Sequence, residues 1–288
     1  MSEPHVEKGV PVAAEIAWQR EKAERVGGGG RLFAAVETLW RREIVRFVRQ
    51  RSRLVGAFAQ PLVFWLLLGG GLHSSFQAPG LPQGTSYVTY FYPGIIALVL
   101  LFTAIFATIA VVEDRQAGFL QGVLVAPVPR AAVVLGQSLG CTTLALAQGV
   151  LFLLFAPFVG IQVTLPVVLA VTAVEFLLAF GLTNLGLIIA WRMDSTQGFH
   201  AIMNLILIPI WLLSGAVFPA TGASVWMDWG MQLNPLTYGM GALRRCLYWH
   251  DPVAVGNVPA LWPSLAVMIL FGAATFWAAA ASARRVGE

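Results

Sequence analysis

Six long apolar runs, separated by polar stretches, set the pattern of the chain. They cover residues 54–72, 91–112, 131–158, 165–191, 201–218 and 261–281. A bilayer span needs roughly 20 apolar residues. The pattern therefore predicts an all-α, polytopic membrane protein with six transmembrane helices. Pro61 falls inside the first run, which a bilayer helix tolerates. An even number of spans puts both termini on one side. Residues 1–30 are polar and end in Gly27-Gly28-Gly29-Gly30, which reads as a flexible tail. In residues 31–53, Leu32, Val36, Leu39, Trp40, Ile44, Phe47 and Val48 recur at helical spacing. Arg41, Arg42, Arg46, Arg49 and Arg53 crowd the other side. A basic amphipathic helix with Trp and Phe on its apolar face is expected to lie in the membrane interface. The other reading is a soluble helix packed on a partner.

Two connections break the simple alternation. Residues 219–260 join the last two runs. Within them, Asn234-Pro235 signals a turn, and Leu236, Met240, Leu243 and Leu247 then follow a helical stripe. A short re-entrant helix that dips partly into the membrane fits, with Arg244 near its outer end snorkelling its charge to the interface. The second connection is a polar island, Glu113 to Arg130, reading EDRQAGFLQGVLVAPVPR. Glu113 and Asp114 suit the positive start of a short helix. Phe119, Leu120, Val123 and Leu124 share one face, and Pro127 and Pro129 stop it before Arg130. Gly118 would permit close backbone approach.

Composition agrees with the membrane reading. The 288 residues are 58% hydrophobic and 11% charged, against roughly 25% charged in soluble domains. The pI near 9.4 raises nucleic acid as a partner, but the placement of the basic residues argues against it. Of 18 Lys and Arg, 11 precede Leu54. With these on the side of the termini lie Arg115, Arg130, Arg192, Arg284 and Arg285, and only Arg244 and Arg245 fall on the other side. This bias puts the termini and the island in the cytoplasm and residues 219–260 outside. No apolar core of a cleavable signal peptide is visible in the first 50 residues.

Candidate chemistry is sparse. Gly136-Gln137-Ser138-Leu139-Gly140 matches a nucleophile elbow, but an elbow needs a strand before it and a helix after it. Ala132, Gly136 and Gly140, repeating every four residues, read instead as a close helix–helix contact. Glu175 lies deep in the fourth run. Either it lines a substrate path or relays a proton, or it sits neutral or hydrogen-bonded between helices, with Thr172, Asn184 or a neighbouring span as partner. The histidines His5, His73, His200 and His250 and the cysteines Cys141 and Cys246 form no metal-ligand motif or disulfide pattern. No Gly-Lys-Ser/Thr phosphate loop occurs, so ATP hydrolysis by that route is excluded for this chain.

The island resembles the cytoplasmic loop of bacterial ATP-binding-cassette (ABC) type-2 permeases, through Glu113, Gly118, Leu120, Leu124, Pro127 and, less closely spaced, Arg130. The family often carries an acidic residue after the leucine; Gln121 stands here and alters the electrostatics of the contact. Asn234-Pro235-Leu236-Thr237-Tyr238 followed by Leu243-Arg244 is similar to the second signature of the same family. The resemblance covers roughly residues 31–285. It implies a permease subunit of an ATP-driven exporter in a bacterial inner (plasma) membrane. Such a subunit works with a second permease copy, as a homodimer here, and with separate ABC ATPase subunits that bind ATP and Mg. It also implies coupling through Glu113, Arg115, Gly118, Phe119, Leu120, Leu124, Pro127 and Arg130. Asn234, Pro235, Tyr238 and Arg244 belong to the external segment, and Glu175 to the translocation path. No cofactor is expected on this chain. Family members export drugs, lipid-linked molecules and polysaccharides, and the sequence does not choose among them. A secondary transporter would need internal repeats or coupling-ion residues, and an intramembrane hydrolase would need a base near Ser138. Neither is visible.

Overall fold

A computed structural model of the chain describes residues 28–71, 86–120, 122, 128–219, 224–251 and 254–285. Among these there are helices and turns and no strand. The helices are α1 (Gly28–Arg49), α2 (Arg51–Gly71), α3 (Tyr87–Ala107), α4 (Ile109–Gln116), α5 (Arg130–Phe152), α6 (Leu165–Ala190), α7 (Thr196–Leu212), α8 (Val225–Leu233), α9 (Pro235–Leu247) and α10 (Leu261–Arg285). Among the described residues, four helical stretches are long and apolar enough to cross a membrane: Tyr87–Gln116, Arg130–Val159, Leu165–Ala190 and Leu261–Arg284. α7 is apolar but shorter, at 17 residues. α2 has 21 residues but starts on Arg51 and Arg53 and carries Gln60-Pro61 in its middle.

α3 is the axis of the bundle. Phe91, Tyr92, Ile95, Ile96, Ala97, Val99, Leu100 and Leu101 are all fully buried, and α2, α5, α6 and α9 pack around it. An all-round apolar helix has no face to give to water and so goes to the centre. Thr108 marks a joint where α3 becomes α4. Its hydroxyl donates to the Ile105 carbonyl at 2.6 Å, a back-bond that bends helices. α5 passes into a 3-10 stretch, Leu153–Val159, and ends at Gly160 with φ +81°.

The small-residue stripe of α5 meets α1. A Cβ on Gly136 would stand 2.9 Å from Leu39 Cβ and from the Val36 carbonyl, and one on Gly140 would stand 2.7 Å from Glu43 Cβ. Residues 130–152 form one continuous helix, and Ser138 is buried inside it, so no elbow forms there. α1 lays Leu39, Glu43 and Phe47 against the bundle and leaves Leu32, Val45 and Val48 exposed. Trp40, at the edge, donates Nε1–H to the Thr143 hydroxyl at 3.1 Å. Gly140→Leu is expected to push α1 off α5 and cost about 1–3 kcal/mol through overpacking, seen as a lower thermal midpoint. A variant as heat-stable as the parent would contradict the contact.

Candidate functional site

The island begins differently from its sequence reading. Glu113 and Asp114 lie in the last turn of α4, which continues the long apolar helix, and do not start a new one. The helix ends because Gly118 takes φ +73°. Nothing lies within 4 Å of where its Cβ would be. The glycine serves the left-handed turn. Phe119, Leu120 and Gly122 resume helical structure. Val123, Leu124 and Pro127 lie outside the described residues. Leu120 is buried in this chain's own core, while Phe119 is 42% exposed.

Two carboxylates at a helix C-terminus are unfavourable to the dipole, and α1 supplies the compensation. Arg42 grips Asp114 with both nitrogens, Nη1 to Oδ2 and Nη2 to Oδ1, each at 2.6 Å. Arg46 donates to Asp114 Oδ1 at 2.8 Å and to Glu113 Oε2. The Arg42 guanidinium also lies 3.9 Å over the Phe119 ring. The hydrogen bond to Asp114 raises the Arg42 pKa above its ordinary value. Asp114, 4% exposed, is the hub. Arg42 and Arg46, one helical turn apart, are the readable signal for this pairing.

The other side of α4 is tied to the α6–α7 turn. Arg115 donates to Asp194 Oδ1 at 2.9 Å and to the Trp191 carbonyl, and Gln116 Nε2 donates to the Asp194 carbonyl at 2.8 Å. Arg130, opening α5, donates to the Ala283 carbonyl of α10 at 3.1 Å. The island thus holds α1, the α6–α7 turn and α10 together at one end of the bundle.

Glu43 sits within this cluster, 4% exposed. Burial lifts its pKa to about 7; Arg42 and Arg46 oppose the rise, and Asp114 and Glu113 add to it. Because the folded pKa is raised, the stability it contributes is full below about 4.5 and is lost as pH rises through about 7. The stability of the full chain should fall between pH 5 and 8 on this account by on the order of 2–3 kcal/mol, seen as a lower thermal midpoint. Glu43→Gln should remove that part of the slope. An unchanged profile in Glu43→Gln would contradict the assignment.

The opposite end carries the Asn-Pro motif. Asn234 caps α9, its Oδ1 accepting from Leu236 N at 3.0 Å while Nδ2 donates to the Ile210 carbonyl at 2.6 Å. Pro235 takes the first helical position, where it needs no donor. Tyr238 donates to the Gln232 carbonyl of α8. The predicted stripe Leu236, Met240, Leu243 and Leu247 is buried. Arg244 does not snorkel. It is 2% exposed, donates to the carbonyls of Tyr90 and Gly215 at 3.1 and 3.2 Å, and lies 3.9 Å over the Tyr90 ring. Sequence reading missed this because the acceptors are backbone carbonyls, one from a turn that Gly215 makes at φ +78°. The Tyr90 hydroxyl donates to the same Gly215 carbonyl at 3.1 Å. Gly94 lets that turn approach: a Cβ there would stand 2.7 Å from the Ala216 carbonyl oxygen.

Glu175 is fully buried in α6, and neither carboxylate oxygen has a hydrogen-bond partner among the described residues. Its carboxyl fills the space beside Gly149, whose Cβ would stand 2.9 Å from Cδ. Asn184 donates instead to the Phe180 carbonyl at 2.8 Å. Among the described residues, no group of His, Cys, Asp and Glu is arranged to hold a metal ion.

Both ends of this arrangement fall inside one family match. The profile of the ABC-2 type transporter family matches residues 34–248, from α1 through α9. The chain belongs to the ABC-2 type transporter family. Its relatives include the transport permease ycf38 of Cyanophora paradoxa, 29% identical over 224 residues, covering 76% of this chain and 74% of the relative. Nodulation protein J of Rhizobium leguminosarum bv. trifolii is 26% identical, covering 75% of this chain and 82% of the relative. Nodulation protein J of Neorhizobium galegae is 24% identical, covering 86% and 92%. The family and the apolar helices together make this chain a multi-pass membrane permease.

Proposed function

We propose that this ABC-2 permease is the membrane subunit of an ATP-driven exporter in a bacterial plasma membrane. It works as two copies with separate ABC ATPase subunits that bind ATP and Mg. α2 and α7 complete six spans, and the island and both termini face the cytoplasm. The observation that carries the reading is the island end of the bundle. One short stretch, Glu113–Arg130, is tied by Asp114 to α1, by Arg115 to the α6–α7 turn and by Arg130 to α10. A push received there reaches α1, the α6–α7 turn and α10 at once, which suits coupling to a detachable motor. Phe119 stays exposed beside these ties and is the apolar anchor for the ATPase; Leu120 rests on the permease itself. The opposite end, with Arg244 and the Gly215 turn locked together, forms the outer closure of the path.

Hot-spot truncations at interfaces cost about 2 kcal/mol or more. Phe119→Asp should therefore abolish co-purification of the ATPase while the permease remains inserted and folded. Undiminished co-purification would overturn the docking assignment. Cysteines at Gln116 and Gly256 should label from opposite faces of the membrane, Gln116 from the cytoplasm; labelling of both from outside would overturn the topology.

A further inference from the structure

The corner between α1 and α2 encloses a groove against α5. Its volume is about 470 Å³, and Phe47, Val48, Val55, Leu62, Leu144 and Leu151 are among the side chains that line it. Gln148 is the polar residue of the lining, and its Oε1 is already taken by the Thr103 hydroxyl. The rim continues into exposed apolar surface: Val48 is 57%, Val55 60% and Leu151 50% exposed. The Gln148 Nε2 is buried without a hydrogen-bond partner among the described residues. The rest of the lining is apolar, and in a membrane protein such a recess meets lipid, so a hydrocarbon chain is the ligand that matches it.

Charge lies next to the lining residues along α1. Arg49 follows Val48 directly, is exposed, and has no ion pair among the described residues. Arg41, on the same helix, is likewise exposed and unpaired. Arg42 and Arg46, in contrast, are committed to Asp114 and Glu113. We infer that this groove is a binding site for one acyl chain of an anionic phospholipid from the bilayer, whose headgroup phosphate is held by Arg49. The site lies between the helix bound to the island and the first apolar helix after it. The inference rests on the chain being a membrane protein and not on its coupling to an ATPase, so the two fail separately.

The test is native mass spectrometry of the full-length permease in detergent, titrated with phosphatidylglycerol or phosphatidylcholine of identical acyl chains. The parent should retain a phosphatidylglycerol adduct in preference to phosphatidylcholine. One basic side chain near an anionic headgroup is worth about fivefold in affinity, so Arg49→Gln should reduce the preference by that factor while keeping the acyl site. Ala147, exposed on the groove wall, offers a way to fill it with little strain on the core, and Ala147→Trp should remove the adduct with both lipids. Persistence of the adduct in Ala147→Trp, or a preference indifferent to Arg49→Gln, would overturn the site. So would efficient cross-linking of Leu151→Cys between two permease copies in native membranes, which would assign the groove to a second copy.

Discussion

Asp114→Ala is expected to detach α1 from the island end and to uncouple ATP hydrolysis from export. The carboxylate is nearly fully buried and holds two guanidinium groups, which are themselves only about one-quarter exposed (28% and 23%). Removing one partner of a fully buried pair costs about 3–5 kcal/mol. Partial exposure of the arginines screens the loss, and about 2–3 kcal/mol is expected. Export by the assembled complex should fall severely, with residual ATPase activity no longer dependent on the permease. A charge swap separates pairing from a general structural effect: Arg42→Asp with Asp114→Arg should restore part of the heat stability lost in either single variant. Normal export by Asp114→Ala would show that α1 is not part of the linkage.

Arg244 carries the second large effect, at the other end. Arg244→Met removes hydrogen bonds to the Tyr90 and Gly215 carbonyls and the stacked cation, a combined loss of about 3 kcal/mol. Arg244→Glu is worse, because it sets a buried carboxylate against carbonyl oxygens. Arg244→Lys should rescue only partly, since an ammonium lacks the planar face that covers Tyr90. In each case the ATPase should still co-purify, because the change is at the far end of α3 from Asp114. Export should be lost in Arg244→Glu. Normal export in that variant would remove the α9 segment from the mechanism.

Much of this was legible in the residues themselves. Long apolar runs located the helices, and the stripe Leu236, Met240, Leu243, Leu247 located the buried face of α9. The spacing of Ala132, Gly136 and Gly140 announced a close contact, although its partner, α1, was not readable, because spacing within one helix is silent about what lies opposite. The island was the harder stretch. Acidic residues at Glu113 and Asp114 suggest a helix start by the dipole rule, yet the long helix runs through them, and ion pairs from α1 outweigh the dipole. Gly118 was visible as a glycine, but its left-handed backbone was not. Arg244 was read as snorkelling its charge to the interface because a long basic side chain near a helix end usually does so. Its acceptors are main-chain carbonyls, which leave no mark in a sequence.

The account turns on Phe119 and its neighbours meeting an ATPase. Cys141 and Cys246 are buried, so cysteines introduced at Phe119 and Gly122 will report selectively when the permease is reconstituted with its cognate ATPase subunit. A short bifunctional reagent should cross-link both positions to the ATPase, with a yield that changes when ATP is added, while a cysteine at Gly256 should give no ATPase product. Cross-linking absent from both Phe119 and Gly122 in an assembled complex that hydrolyses ATP and exports normally would contradict the central claim.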